Sequence, residues 1–202
     1  DQLGRDVLSR LVYGIRATVF LSLLSMAITS ALGACVGLVS GFFRNRIDDV
    51  LMRICDVMMS FPSEVMILAI VGMTGPGLEN VVIANVVAKW PWYARMVRSI
   101  VRQYSDKDYI RFAKVAGGSS IRIMMRHLLP GTAGELFVLT TLDTGSVILM
   151  ISALSFLGLG VQPPTPEWGM MLNEAKEVMT LYPLQMIPAG MAILLVVAAF
   201  NF

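Results

Sequence analysis

Three long apolar windows dominate the hydrophobic pattern of the chain. Residues 17–43 and 178–202 contain no charged side chain, and residues 136–159 are interrupted only by Asp143. A helix needs about 20 apolar residues to cross the hydrocarbon core of a bilayer. Each of the three windows is therefore predicted to be a transmembrane helix.

Two weaker windows continue the same pattern. Residues 57–78 contain Pro62 and Glu64, and residues 80–100 contain Lys89. Proline and glycine are tolerated in membrane helices because neighbouring helices can satisfy the freed backbone groups. We therefore predict an all-α fold, a polytopic transmembrane helical bundle with about five spans.

The composition agrees with a membrane protein and excludes several other classes. Of the 202 residues, 56% are hydrophobic and 15% are charged, which is not a soluble composition. The net charge of +2 and the lack of a basic stripe argue against nucleic-acid binding. With one histidine and two isolated cysteines, the chain offers no metal centre and no catalytic relay. We expect no enzyme activity and no cofactor.

The basic residues predict the orientation of the spans. Eleven of the 16 lysines and arginines lie within residues 44–53 or 95–126. The positive-inside rule places both stretches on the cytoplasmic side. Two loops are then predicted to lie outside, at residues 74–79 and at residues 160–177. The second loop is here called the external segment. The basic residues within residues 3–16 are the exception, and we predict an amphipathic segment lying on the membrane surface.

Residues 105–130, here called the coupling segment, predict a helix, a glycine turn and a second helix. Ser105 followed by Asp108 resembles a capping box at a helix start. Apolar residues then recur at intervals of three and four, which is the spacing of one helix face. These residues are Tyr109, Phe112, Ala113 and Ala116.

The second half of the coupling segment repeats this pattern. Gly117 and Gly118 are predicted to end the first helix, since glycine takes the left-handed cap without steric cost. Ser119 or Ser120 can cap the second helix, and Pro130 is predicted to close it. The apolar positions of the second helix are Ile121, Met124, Met125 and Leu128.

An apolar face outside the bilayer needs a covering surface, and the residues alone leave open whether this is lipid or a protein. The coupling segment resembles the cytoplasmic loop of ABC-type import permeases, whose pattern is E-A-A-x3-G-x9-I-x-L-P. Ala113 matches the second alanine, Gly117 the glycine and Leu128-Leu129-Pro130 the closing residues. Arg111 and Phe112 replace the glutamate and the first alanine. The resemblance implies that this segment docks on a cytoplasmic ATPase. The implied coupling residues are Tyr109, Phe112, Ala113, Gly117, Ile121, Leu129 and Pro130.

Further motifs extend the resemblance over nearly the whole chain. They are LGRDVLSRLVYGIR at residues 3–16, WPWYARMVRS at 90–99 and LSFLGLGVQPPTPEWGMML at 154–172. Together they are similar to the C-type permease subunits of dipeptide, oligopeptide and nickel importers. That family has six helices, so the resemblance implies one permease domain over residues 1–202, with a first helix before Asp1 and a tail after Phe202.

The resemblance also implies a mechanism and partners. Transport would proceed by alternating access in a bacterial inner membrane, with a second permease subunit forming a heterodimer with this chain. Two cytoplasmic ATP-binding subunits would supply energy, since this chain has no GxxxxGK[ST] phosphate loop. The external segment would face an extracytoplasmic solute-binding protein. Within it, Trp168 is a residue type that suits a membrane–water boundary.

Asp143 bears on the choice of substrate. An ionisable group in the middle of a span costs roughly 2.5–3.5 kcal/mol and marks either a transport pathway or a structural pairing. The stretch TTLDTG at residues 140–145 resembles nickel-import permeases, so we predict transport of nickel or a metal chelate. A dipeptide or oligopeptide permease of the same architecture is the alternative. A non-ABC channel or secondary transporter is less favoured, because the chain shows no internal repeat.

Overall fold

A computed structural model describes residues 1–201 of the chain. Within these residues the regular structure is entirely helical, and no strand is present. The α-helices are α1 Val7–Ile15, α2 Leu21–Phe43, α3 Arg46–Met59, α4 Ser63–Thr74, α5 Leu78–Ser105, α6 Asp108–Val115, α7 Ser120–Ile123, α8 Leu129–Phe156, α9 Trp168–Glu177 and α10 Ile187–Asn201.

Short turns of other helix types join several of these helices. A π-helical turn at Arg16–Phe20 connects α1 to α2, and another at Met124–Leu128 connects α7 to α8. A 3₁₀ turn at Pro183–Met186 precedes α10. The prediction that Pro130 closes a helix is wrong, because Pro130 lies in the first turn of α8. Proline has no N–H to donate, and the wider π turn directly before it accommodates the altered hydrogen bonding.

Three helical stretches are long and apolar enough to cross a membrane: Val7–Phe43, Ser120–Phe156 and Pro183–Asn201. They contain most of the three strong windows. The weaker window at residues 57–78 does not form one helix. It falls on α3 and α4, which would count as a fourth span only as a pair bent by 78°. Pro62 precedes α4 and disfavours helical backbone in the residue before it, which explains the break.

The second weak window, residues 80–100, corresponds to α5. Its 28 residues correspond to a length of about 42 Å, which is enough to cross a bilayer. However, α5 contains Lys89, Arg95 and Arg98 and is not among the stretches that are apolar enough. The fold class is confirmed as an all-α, polytopic helical protein.

The chain forms two compact units, each built from separate segments. The first contains Asp1–Met26, Met66–Asn85 and the described residues from Thr141 onward. The second contains Ala27–Val65 and Val86–Thr140.

A glycine seam allows α2 and α5 to approach closely within the second unit. Gly33, Gly37 and Gly41 lie four residues apart on α2. A Cβ atom at Gly37 would lie 2.6 Å from the carbonyl oxygen of Ala94, and one at Gly41 would lie 2.8 Å from Val101. Small residues at this spacing permit close backbone packing between membrane helices.

The first unit has its own apolar core. Trp168 and Met171 of α9 pack there with Ala189 and Ile193 of α10. Trp168 is only 2% exposed, and its indole Nε1 donates a 3.0 Å hydrogen bond to the carbonyl oxygen of Leu11. Trp168 is therefore enclosed by the chain itself, and its position relative to a membrane stays a prediction. Its polar atom is satisfied by backbone rather than by the interface.

Candidate coupling surface and external segment

The predicted glycine stop in the coupling segment is confirmed. Gly117 has a φ of +79°, in the left-handed region. Its N–H donates to the carbonyl oxygen of Lys114 at 3.1 Å, and the N–H of Gly118 donates to that of Ala113 at 3.0 Å. These two bonds form a Schellman motif, which ends α6 and turns the chain towards α7.

The starts of the two short helices differ from each other in their capping. Ser119 caps α7, since its side chain accepts a 3.4 Å hydrogen bond from the N–H of Arg122. The capping box predicted at Ser105 is wrong. Ser105 is the buried last residue of α5, and the N-cap of α6 is Lys107, which makes no side-chain capping bond. Because α5 extends this far, only Asp106 and Lys107 connect it to α6.

One face of the coupling segment is anchored in the core of the second unit. Ile110 of α6 and Leu128 of the π turn are fully buried, and Ile123 of α7 is 2% exposed. They pack with four residues of α2 and α5, which are Ala34, Leu38, Val97 and Val101. Periodicity indicated Leu128 but missed Ile110 and Ile123.

The opposite face of the coupling segment is apolar and exposed. Tyr109 is 48% exposed, Phe112 74% and Ile121 71%. Gly117 and Pro130 are also exposed. The other two predicted coupling residues, Ala113 and Leu129, are half-buried and pack against the core cluster. The seven predicted residues therefore divide into five that a partner can reach and two that support the segment.

The buried carboxylate of Asp48 joins the helices against which the coupling segment packs. Asp48, at the start of α3, is 3% exposed. It accepts hydrogen bonds from Nε and Nη2 of Arg98 at 2.5 and 2.7 Å, and it is also bonded to Ser40 and Arg102. Asp48 thus joins α2, α3 and α5 through one side chain.

A second ion pair reaches the coupling segment itself. Arg44 has a φ of +45°, and its Nη2 donates to the carbonyl oxygen of Arg102 at 2.7 Å and to the carboxylate of Asp106 at 3.0 Å. The hydrogen bond from Arg44 lowers the pKa of Asp106. The short connection between α5 and α6 is therefore held to the end of α2.

Asp143 lies in α8, within the first unit, and is half-buried. The neighbouring Thr144 is buried. No group of three or more His, Cys, Asp or Glu side chains among residues 1–201 is arranged to hold a metal ion.

The external segment is fastened by a buried carboxylate that sequence reasoning missed. Glu167 is fully buried and is the N-cap of α9. It accepts hydrogen bonds from the N–H of Met170 at 2.8 Å, from Thr18 Oγ1 at 3.0 Å and from Ser152 Oγ at 3.4 Å. These donors come from α9, from the π turn after α1 and from α8. Glu167 therefore holds three parts of the first unit together.

An ion-pair cluster explains part of the LGRDVLSR motif. Glu174 of α9 accepts hydrogen bonds from Arg5 Nη2 at 2.8 Å and from Arg10 Nη1 at 2.5 Å. Burial alone would raise the pKa of Glu174, but the hydrogen bonds from Arg10 and Arg5 outweigh it and lower the pKa. Residues 3–16, predicted to lie on the membrane surface, thus contact α9 as well.

Comparison with known proteins places this geometry in a family. Residues 33–202 match the family described as "Binding-protein-dependent transport system inner membrane component". The chain belongs to this family. It is therefore an ABC importer permease, a transport component rather than a catalytic subunit, and a multi-pass protein of the inner membrane. Permeases of this kind work with ATPase and substrate-binding partners.

Individual relatives are similar over the full chain. The metal-staphylopine import system permease protein CntC of Staphylococcus aureus is 43% identical over 202 residues, which are all of this chain and 70% of that protein. The nickel transport system permease protein NikC of Escherichia coli is 38% identical over 201 residues, covering 73% of its length. The di/tripeptide transport system permease protein DppC of Pseudomonas aeruginosa is 42% identical over 201 residues, covering 66% of its length.

Proposed function

We propose that this chain is the permease subunit of an ATP-driven importer for nickel or a metal chelate. The observation that carries the proposal is Asp143, a half-buried carboxylate in a helical stretch apolar enough to cross a membrane. An acidic side chain in such a stretch costs roughly 2.5–3.5 kcal/mol and by default marks a pathway or a pairing. On a pathway, its negative charge favours cationic cargo. The names of two relatives, for metal–staphylopine and nickel transport, agree with this cargo.

A comparison of Asp143→Asn with Ser146→Ala tests the role of Asp143. Asparagine keeps the shape of the side chain but removes its charge, and Ser146 is an exposed residue on the same helix. We expect Asp143→Asn to reduce nickel or chelate uptake strongly while the complex assembles normally, and Ser146→Ala to change neither. Loss of assembly together with transport would instead indicate a structural role. Normal transport by Asp143→Asn would also contradict the proposal.

We further propose that the coupling segment is cytoplasmic and docks on an ATPase subunit. Its exposed apolar face at Tyr109, Phe112 and Ile121 supports this, because apolar clusters of this kind mark interaction sites. Phe112→Ser should weaken detergent-stable association with the ATPase. Leu181→Ser is the matched control, since Leu181 is 75% exposed and Phe112 is 74% exposed. Unchanged association in Phe112→Ser would assign the face to lipid.

Gly117→Val tests the turn between α6 and α7. A β-branched residue cannot readily adopt the φ of +79° at this position. We expect the variant to insert into the membrane but to lose coupling between ATP hydrolysis and transport. Normal assembly and transport would show that the turn is not needed for coupling.

The remaining partners follow from the same proposal. The chain would pair with a second permease subunit in a heterodimer, above two ATP-binding subunits. The external segment would face the solute-binding protein. Residues 167–171 are buried, so the longest exposed stretch of this segment is residues 162–165.

A peptide permease of the same architecture is the second candidate function. The 42% identity to a di/tripeptide permease favours it. Measuring the ATPase activity of the reconstituted complex separates the two candidates, with nickel salts, nickel chelates and dipeptides added in turn. Stimulation by dipeptides alone would overturn the metal proposal.

A further inference from the structure

A groove of about 660 Å³ lies between α5 and α8 in the second unit. Its walls carry apolar side chains such as Met96 and Val138, together with a polar group of four residues. Its volume lies in the range of small-molecule sites in proteins. The polar group consists of Ser99, Gln103, Tyr104 and Glu135.

Two glycines on α8 shape the groove. A Cβ atom at Gly131 would lie 3.3 Å from the ring of Tyr104, so glycine here lets the ring approach α8 closely. At Gly134 a Cβ atom would meet nothing within 4 Å, so this position leaves space open. The approach brings the Tyr104 hydroxyl to Glu135, where it donates a 3.2 Å hydrogen bond to Oε1.

The charge of the groove is negative. Among the residues that line the groove, Glu135 is acidic and none is basic. The nearby arginines of α5 are engaged elsewhere: Arg98 and Arg102 bind Asp48, and Arg95 binds Asp56. Among residues 1–201 no lysine or arginine forms an ion pair with Glu135.

Glu135 is also exposed, and it directly precedes the apolar window at residues 136–159. A carboxylate there avoids hydrocarbon and faces water or an opposite charge. We propose that the groove is a binding step for cationic cargo, in which Glu135 attracts a hydrated divalent metal ion or its cationic chelate. The hydroxyl of Tyr104 and the polar groups of Ser99 and Gln103 supply neutral contacts. This inference rests on the proposed function, since it takes the cargo to be a metal or a chelate.

Nickel chloride and a cationic nickel chelate serve as probes in the reconstituted complex. Glu135→Gln removes the charge without changing the shape of the side chain. We therefore expect half-maximal stimulation of the ATPase to need an about tenfold higher concentration of nickel or its chelate, with an unchanged maximal rate. Tyr104→Phe should raise that concentration less, since it removes only one neutral donor. Glu79→Gln, at an exposed glutamate in the first turn of α5, should leave this concentration unchanged.

The outcomes separate this inference from the proposed function. If the unmodified complex responds to nickel or its chelate and Glu135→Gln responds identically, the groove proposal is overturned and the function stands. If Glu135→Gln lowers the yield of complex, the groove is a subunit interface and the proposal is equally overturned. If the unmodified complex responds only to dipeptides, the proposed function fails and the cargo assigned to the groove fails with it.

Discussion

Removing the carboxylate of Asp48 should destabilise the second unit more than any neighbouring surface change. Asp48 is 3% exposed and faces two arginines, one of which binds through two nitrogen atoms. Asp48→Asn keeps the size of the side chain but removes its charge. It also directs an amide nitrogen towards groups that already donate hydrogen bonds. Arg98 and Arg102 would then lose their counter-ion.

The expected cost follows from the burial of each partner. Breaking a fully buried ion pair by removing one member costs about 3–5 kcal/mol. The side chains of Arg98 and Arg102 remain 24% and 38% exposed, so water screens part of the unpaired charge. We therefore expect a loss of about 2–3 kcal/mol. For a chain of this size, this corresponds to a fall of roughly 5–10 °C in the unfolding midpoint.

Thermal unfolding of the detergent-purified complex measures this loss, with Asp49→Asn as the matched control. Asp49 is the next residue on α3 and is exposed. We expect its variant to stay within about 0.5 kcal/mol of the unmodified protein. Equal unfolding midpoints for the two variants would refute the stabilising role of the Asp48 carboxylate. A large effect at Asp49 alone would show that the assignment of the buried carboxylate is wrong.

Three further changes test other contacts. Gly37→Ala should lower the unfolding midpoint, because its Cβ atom would lie 2.6 Å from a carbonyl oxygen, whereas Gly72→Ala should not, since nothing lies within 4 Å of its Cβ atom. Glu167→Ala should destabilise the protein by about 1–3 kcal/mol and expose the 160–177 segment to proteolysis, because buried donors lose their acceptor; unchanged proteolysis would contradict this. The pKa of Glu174 is lowered in the folded state, so its contribution to stability is present above about pH 4.5 and is lost as the pH falls further. Between about pH 6 and pH 3.5, Glu174→Gln should therefore lose less stability than the unmodified protein. Equal losses in the two proteins would refute this prediction.

Features set by neighbouring residues could be predicted from the sequence. The turn at Gly117 depends on local backbone chemistry, and the structure has the expected left-handed cap there. The strong apolar windows also became long helices, because their composition alone decides whether they can cross a membrane. Gly33, Gly37 and Gly41 repeat every four positions in the sequence, which is a spacing typical of closely packed membrane helices.

Features set by distant residues could not be predicted. Glu167 lies in the predicted external segment and is buried. Its partner Thr18 lies 149 positions away in the chain. Nothing in the residues around Glu167 indicates that contact. The grouping of Tyr104 with Glu135 is also a tertiary contact, made possible by the close approach at Gly131.

The coupling segment shows why periodicity can identify a surface without identifying its role. Successive residues of an α-helix are about 100° apart, so Ile110 and Phe112 lie on nearly opposite faces of α6. Both are apolar, but Ile110 is buried and Phe112 is 74% exposed. The buried face fixes the segment to a close-packed core, which transmits displacement rather than absorbing it. The Arg44–Asp106 pair fixes the connection from α5 at the same time. A force applied at the exposed face would therefore move the helices that carry the segment, which is the behaviour that a coupling surface requires.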